Sequence, residues 1–216
     1  TTSQVMPMPT AAPVKIDDMP DGNGGGGPRN SIAMYDMPQK VIGHFVAGTP
    51  IRTSSYRGLG AFANVFAIES FIDELALAAG ADPVAYRLSL MSDPRARGVM
   101  EAAARMADWQ PGAPGGTGKG RGFAFSRYKN RAAYVALVAD VTVEEEVRLD
   151  KVWCACDAGL VVNPDGLANQ LEGGIVFAAS NALKERVRFE DGRIATIDWE
   201  TYPILKFSEV PQIEVQ

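Results

Sequence analysis

The order of patterns along the chain predicts an α+β fold: a helical segment followed by a mixed or antiparallel sheet. Three observations carry this prediction. Helical apolar spacing is concentrated between about residues 61 and 109, and strand-like runs dominate after residue 120. Between them "QPGAPGGTGKG", 110–120, is too dense in Gly and Pro for either element, and it forms the best internal boundary.

Residues 1–30 read as a flexible N-terminal segment, Pro- and Met-rich at first and closing with "DGNGGGGPRN". Residues 31–110 read as a strand pair, "NSIAMYDM" and "KVIGHFVAG", followed by three helices. The first helix runs from about Ala61 to Ala79, with Phe62, Val65, Phe66, Ile68, Phe71, Ile72 and Leu75 at helical spacing, and Gly80 stops it. The second and third both begin with Asp-Pro: Asp82 and Asp93 supply N-cap oxygens, and Pro83 and Pro94 occupy the first helical position. Residues 120–216 read as a β-rich segment with one long helix. "GFAFSR", "RAAYVALVADVTVEEEVRL" and "DKVWCACDA" have strand composition, and "NPDGLANQLEGGIVFAASNALKE" is a helix capped by Asn163 with Pro164 at its first position. "RVRFEDGRIATI" is a hairpin pattern around Asp191-Gly192, and "ETYPILKFS" and "QIEVQ" add short strands.

Charge and composition exclude several functions. A net charge of −5 with no basic run repels nucleic acid and anionic membrane surfaces. No run approaches the roughly 18 apolar residues of a spanning helix. "TTSQVMPMPT" lacks the charged and apolar regions of a signal peptide, and without an initiator Met the chain reads as a processed or excised piece. His44, the only histidine, has no Ser or Cys nucleophile nearby and suits a core or edge strand. Cys154 and Cys156 alternate on a strand, so both thiols suit one packed face, and no CxxC or His cluster completes a metal site. Glu69 and Asp73, four apart on the first helix, share a face, either as a solvated or salt-bridged pair or as an acid/base or metal pair lacking a third ligand. The "EEE" at 144–146 reads as a solvated strand end or turn.

Two stretches suit chemistry. In "YRGLGAF" a helix N-terminus offers free amides and a partial positive charge, Arg57 adds a planar fork for oxyanions, and Gly58 and Gly60 let a backbone come close. The spacing is neither the dinucleotide fingerprint nor a P-loop, and a tight turn with a surface arginine is the plainer alternative. In "NQLEGGIVF", Gly173 and Gly174 sit inside a helix at a cost of about 1 kcal/mol each relative to Ala, which marks close approach by a ligand or another backbone. Gln170, one turn earlier, can donate and accept at once.

Four segments in order resemble the large, molybdenum-cofactor-binding subunit of the xanthine dehydrogenase and aldehyde oxidase family, within it the isoquinoline 1-oxidoreductase and nicotinate dehydrogenase type. They are "IRTSSYRGLGAFANVFAIESFIDELALAAGADPVAYRLSLM", "GRGFAFSRYKNRAAYVALVADVTV", "VWCACDAGLVVNPDGLANQLEGGIVFAASNALKE" and "DWETYPILKFSEVPQIEV", spread over about residues 30–215. The resemblance implies hydroxylation of an N-heterocycle or oxidation of an aldehyde with water as oxygen source. It implies a molybdenum–molybdopterin cofactor in its cytosine dinucleotide form, a [2Fe–2S] small subunit as electron-accepting partner, and a small-molecule substrate. It places Arg57, Gly58 and Gly60 at the cofactor, and Leu59 toward the substrate where the family often has an aromatic residue. Gln170 matches the glutamine that hydrogen-bonds an oxygen ligand of the metal, and no residue of this chain is implied as a direct metal ligand. The family's general-base glutamate follows the position of Gln216, so the chain is expected to be part of a longer subunit, without cofactor or activity alone. The alternative is a non-catalytic assembly or small-ligand and anion-binding module of the same ancestry.

Overall fold

A computed structural model describes residues 13–15, 26–44, 56–111 and 116–216, the backbone only at 13–15 and 43–44. Most of the 1–30 segment, the end of "KVIGHFVAG" and the middle of the Gly/Pro-rich boundary lie outside the described residues. The chain forms two compact units, Thr1–Gly98 with Phe125–Val135, and Val99–Ala124 with Ala136–Gln216.

In the first unit, β1 (Pro13–Lys15) pairs antiparallel with β2 (Ile42–His44). Among the described residues this sheet has two strands, and His44 is the last described residue of β2. The expected strand at "NSIAMYDM" is a correction: these residues form turns and bends. Asn30 adopts φ 58°, and side chains take the place of a ladder, with Gln39 accepting from Ala33 N (2.8 Å) and donating to Ala33 O (3.0 Å). Three helices follow: α1 (Gly60–Ala78), α2 (Pro83–Ser89) and α3 (Pro94–Met106). Both Asp-Pro starts are realised. Asp82 Oδ1 accepts from Val84 N and Ala85 N, and Asp93 Oδ1 from Arg95 N and Ala96 N. The buried stripe of α1 differs from the one the aromatic spacing marks. Ala61, Glu69, Ile72 and Ala76 face inward, while Phe62, Phe66 and Phe71 are exposed. Such a helix is apolar on more than one face.

The polar core of this unit forms around Arg87, which has no exposed surface. Its Nε donates to Glu69 Oε2 (3.0 Å), Nη2 to Glu69 O (3.0 Å), and Nη1 to Asp73 Oδ1 (2.6 Å) and Pro83 O (3.0 Å). Glu69 also accepts from Tyr35 Oη (2.8 Å) and Phe125 N (2.9 Å). Glu69 and Asp73 are thus a salt-bridged pair, but only Asp73 reaches solvent. Burial pushes the Glu69 carboxyl above its usual range against the opposing pull of Arg87. Nearby, the guanidinium groups of Arg95 and Arg127 lie 4.7 and 4.4 Å from the ring centroid of Tyr134, whose hydroxyl donates to Asp93 Oδ2 (2.8 Å).

The main sheet has the order β3-β4-β5-β8, comprising β3 (Lys119–Arg127), β4 (Tyr134–Val143), β5 (Val147–Asp157) and β8 (Gln212–Val215). Connections of six and three residues join β3 to β4 and β4 to β5, lengths that suit only antiparallel neighbours. β8 runs parallel to β5, so the sheet is mixed, as expected. Glu144–Glu146 form the β4–β5 turn. In β4, Tyr134, Ala136 and Val138 alternate inward. In β5, Val152 to Ala155 are all buried, the pattern of a strand covered on both faces.

In the second unit, α4 (Pro164–Leu183) lies between β5 and β8 in sequence and packs on both. β6 (Phe189–Glu190) and β7 (Arg193–Ile194) make the expected hairpin. Asp191 (φ 49°) and Gly192 (φ 72°) both take the left-handed conformation that a type I′ turn needs. The strand expected at "ETYPILKFS" is the second correction. Thr201 and Asp198 tie this stretch into a turn, with Thr201 N donating to Asp198 Oδ1 (2.9 Å) and Ile197 N to Thr201 Oγ1 (2.9 Å), and a 3₁₀ turn at Phe207–Glu209 follows. Among the described residues no helix is long and apolar enough to cross a membrane.

Candidate functional site

Arg57, Gly58 and Leu59 form the turn that enters α1, closed by Leu59 N donating to Tyr56 O (2.9 Å). Gly58 sits at φ 85°, where a side chain is strained, whereas a Cβ there would meet only Phe62, its Cβ at 3.6 Å and its N at 3.9 Å, both ordinary contacts. Conformation, not space, requires this glycine. Leu59 adopts φ 56°, ψ −141° and caps α1 without a side-chain hydrogen bond. Such a backbone in a residue other than Gly costs about 1–3 kcal/mol and persists only when its surroundings fix it.

Gly60 is required for the opposite reason. A Cβ there would run into the backbone carbonyls of Gly26 and Gly27, and Gly60 N donates to Gly26 O (2.6 Å). The close approach expected at this glycine is thus made by the chain itself. One amide at the α1 N-terminus is occupied, and Arg57 is exposed beside it.

The second candidate stretch lies on α4. Asn163 Oδ1 accepts from Gly166 N (2.9 Å) and caps the helix, with Pro164 at its first position. Gln170 is exposed on the second turn. At Gly173 and Gly174 a Cβ would meet nothing beyond the local helix backbone within 4 Å among the described residues. The neighbour that would explain two glycines in a helix is therefore not supplied by these residues.

Arg57 belongs to the first unit and Gln170 to the second. Each donor set, taken by itself, is chemically suited to oxygen-rich anionic groups. Arg57 offers a charged planar fork, Gln170 an amide that donates and accepts, and the glycines of α4 a surface where a Cβ would fill open space.

The other sequence candidates play structural parts. Cys154 is fully buried in β5, and burial, with Cys156 beside it, pushes its thiol up to about 12. Cys156 is half-buried, and burial and the Asp157 charge raise its thiol as well. Among the described residues no group of three or more His, Cys, Asp and Glu side chains could hold a metal ion. The sequence reading passed over Asn64, whose Nδ2 donates to both Gly27 O and Arg29 O, each at 2.8 Å. The available signal was an amide one turn into a helix that begins at a glycine-rich loop.

The molybdopterin cofactor-binding domain family matches residues 67–211. The B component of nicotinate dehydrogenase from Pseudomonas putida is 43% identical over 205 residues, covering 88% of this chain and 17% of that protein. The beta chain of isoquinoline 1-oxidoreductase from Brevundimonas diminuta is 38% identical over 190 residues, covering 86% of this chain and 24% of that protein. The chain thus spans less than a quarter of the length of either relative. The crystal structure of quinoline 2-oxidoreductase from Pseudomonas putida 86 is similar at 27% identity and a TM-score of 0.38, covering 39% of this chain and 11% of that one.

Proposed function

Because the chain belongs to the molybdopterin cofactor-binding domain family, we propose that it is part of a molybdenum hydroxylase that hydroxylates N-heterocycles or oxidises aldehydes with water. The observation that carries this reading in the structure is α4. It presents Gln170 to solvent beside two helical glycines where an added Cβ would meet nothing beyond the local helix backbone within 4 Å among the described residues. The cofactor, when bound, supplies the two-electron oxidation and the route by which oxygen from water enters the substrate.

The residues of this chain bind and orient. Arg57 donates its guanidinium N–H groups to anionic oxygens of the cofactor, and Gly58 supplies the left-handed backbone of the turn that carries Arg57. Gly60 holds the start of α1 at the same surface. Gln170 Nε2 donates to, and Oε1 accepts from, polar atoms of the cofactor. A donor already aimed at the place where charge develops requires no reorganisation during reaction. Leu59 faces the substrate with a flexible apolar side chain in place of a stacking ring.

The remaining parts of the reading follow from the same family. The cofactor is the cytosine dinucleotide form, electrons pass to a [2Fe–2S] small subunit, and the rest of the large subunit supplies the general base. Residues 1–216 alone retain no cofactor. Arg57 and Gln170 offer only a few hydrogen bonds at about 0.5–1.5 kcal/mol each, too few to offset the entropy of capturing a large ligand. Metal analysis of that piece checks this point.

The deciding experiment uses the full-length enzyme. Gln170→Ala lowers kcat by about 10²–10³-fold while molybdenum content and thermal unfolding stay unchanged. Unaltered turnover removes Gln170 from the site.

A further inference from the structure

We infer that Asn64, acting through a backbone strap at Gly26–Asn30, is the positioning residue for the Arg57–Gly60 loop. The inference rests on the reading that this loop faces the cofactor.

The loop needs outside support. Gly58 and Leu59 are consecutive left-handed residues (φ 85° and 56°), and Leu59 caps α1 without a side-chain hydrogen bond. A turn of this kind is held only where its neighbours over-determine it. Three hydrogen bonds from the start of α1, at Gly60 and one turn later at Asn64, do so. Gly60 N donates to Gly26 O (2.6 Å), and the two N–H groups of Asn64 Nδ2 go to Gly27 O and Arg29 O at 2.8 Å each.

The strap is fixed on its other side as well. Asn30, at 8% exposure and φ 58°, donates from Nδ2 to Arg127 O (2.8 Å) and Asn130 Oδ1 (2.9 Å), and its Oδ1 accepts from Lys129 N (2.8 Å). Asn130 Nδ2 donates in turn to Ile32 O (2.9 Å). Lys129 and Asn130 are themselves left-handed (φ 57° and 54°). All these residues lie in the first compact unit, so the chain from the 127–130 turn through the strap to the entry of α1 is continuous in hydrogen bonds.

The chemistry at position 64 is specific. Two carbonyl oxygens converge on one nitrogen, so the side chain must offer two N–H groups at the reach of a single methylene. Asp has none, Ser has one O–H, and Gln is longer by one carbon.

The test uses the full-length enzyme and its cofactor-free form, with Asn64→Asp, the milder Asn64→Ser, and Asp82→Ala as a control. Asp82→Ala weakens the cap of α2 in the same unit without touching the strap. In the cofactor-free protein, Asn64→Asp speeds amide exchange of the peptide covering residues 57–61 by about tenfold or more, the scale of two lost hydrogen bonds. In the loaded enzyme, molybdenum per polypeptide falls and kcat drops about 10²-fold, the scale of a misplacement of about 1 Å. Asn64→Ser lies between, which keeps the test readable if Asn64→Asp does not fold. Asp82→Ala, at an equal loss of thermal stability, changes neither loop exchange nor molybdenum content. Unchanged loop exchange in both Asn64 variants, or equal effects from Asp82→Ala, overturns the inference. Arg57→Ala separates the two levels. If it leaves molybdenum content and kcat intact, the cofactor reading of the loop falls, whereas the exchange measurement still judges the strap by itself.

Discussion

Arg87→Met is the perturbation that best tests how the first unit is held together. Arg87 is fully buried and makes four hydrogen bonds, two to Glu69, one to Asp73 and one to Pro83 O. Methionine replaces most of the apolar stem, so the loss is chiefly electrostatic. The Asp73 carboxylate is 47% exposed, and rehydration limits its share to about 0–1 kcal/mol. Glu69 is 7% exposed at its side chain and keeps only two neutral donors, Tyr35 Oη and Phe125 N. Removing one partner of a buried ion pair costs about 3–5 kcal/mol, so Glu69 dominates.

The sign of the pH dependence follows. Burial already raises the Glu69 carboxyl, and without Arg87 nothing of opposite charge pulls it back. A carboxyl whose folded pKa exceeds its unfolded value, about 4.3, contributes stability below that value and loses it as pH rises through the folded pKa. The penalty of Arg87→Met therefore grows as pH rises above the unfolded value of about 4.3. Native-state hydrogen exchange of the α1 amides in the full-length protein reads it locally, and adding Glu69→Gln recovers part of it at neutral pH. A cost below about 1 kcal/mol at pH 7, or a penalty flat with pH, refutes the argument.

Two further outcomes follow from single contacts. Asp93→Ala removes the α3 cap and costs about 1–2 kcal/mol at pH 7. Burial raises the Asp93 carboxyl, but the Tyr134 hydroxyl, the Arg95 and Ala96 amides and Arg127 outweigh it and hold it low, so this contribution is present above the unfolded pKa of about 3.9 and fades as pH falls through the folded one, as urea melts at pH 7 and pH 3 would reveal. With its thiol pushed up to about 12, Cys154 is about 10⁻⁴ thiolate at pH 8 and stays unlabelled by a disulfide reagent until denaturant is added, whereas half-buried Cys156 reacts first.

Local chemistry was readable where one residue type has one reason to be present. The Asp-Pro and Asn-Pro caps and the Asp-Gly hairpin were set by backbone rules alone, and each lies at the expected residue. Strand assignments failed where side chains replace the ladder, as Gln39 does at Ala33 and Thr201 at Ile197, because apolar alternation does not report such substitutes. Burial on α1 was misread because apolar residues line more than one of its faces: Phe62, Phe66 and Phe71 spread around the helix and stay exposed, while the core-facing stripe is Ala61, Glu69, Ile72 and Ala76. The glutamate is inward only because Arg87, 18 residues later, neutralises it. The glycines of "RGLG" were legible as special, but not that Gly58 answers to conformation and Gly60 to a strap more than thirty residues earlier.

That difference between glycines yields a test of which surface awaits a ligand. Glycine inside a helix is about 1 kcal/mol less favourable than alanine. At Gly173 and Gly174 a Cβ meets nothing beyond the local helix backbone within 4 Å among the described residues, so Gly173→Ala and Gly174→Ala each stabilise α4 by about that amount in the cofactor-free protein. Gly60→Ala behaves oppositely. Its Cβ falls on the Gly26 and Gly27 carbonyls, so the strap must move and the Gly60 N to Gly26 O bond is lost before any ligand is present. If the α4 glycines exist because the cofactor or a neighbouring backbone comes within contact there, the same two alanines lower molybdenum per polypeptide or kcat in the full-length enzyme despite the gain in helix stability. The paired measurement is exchange protection of the α4 amides in the cofactor-free protein and metal content in the loaded one. Stabilised helices with full metal content and full turnover would leave Gly173 and Gly174 without a ligand to explain them and would remove the α4 face from the site.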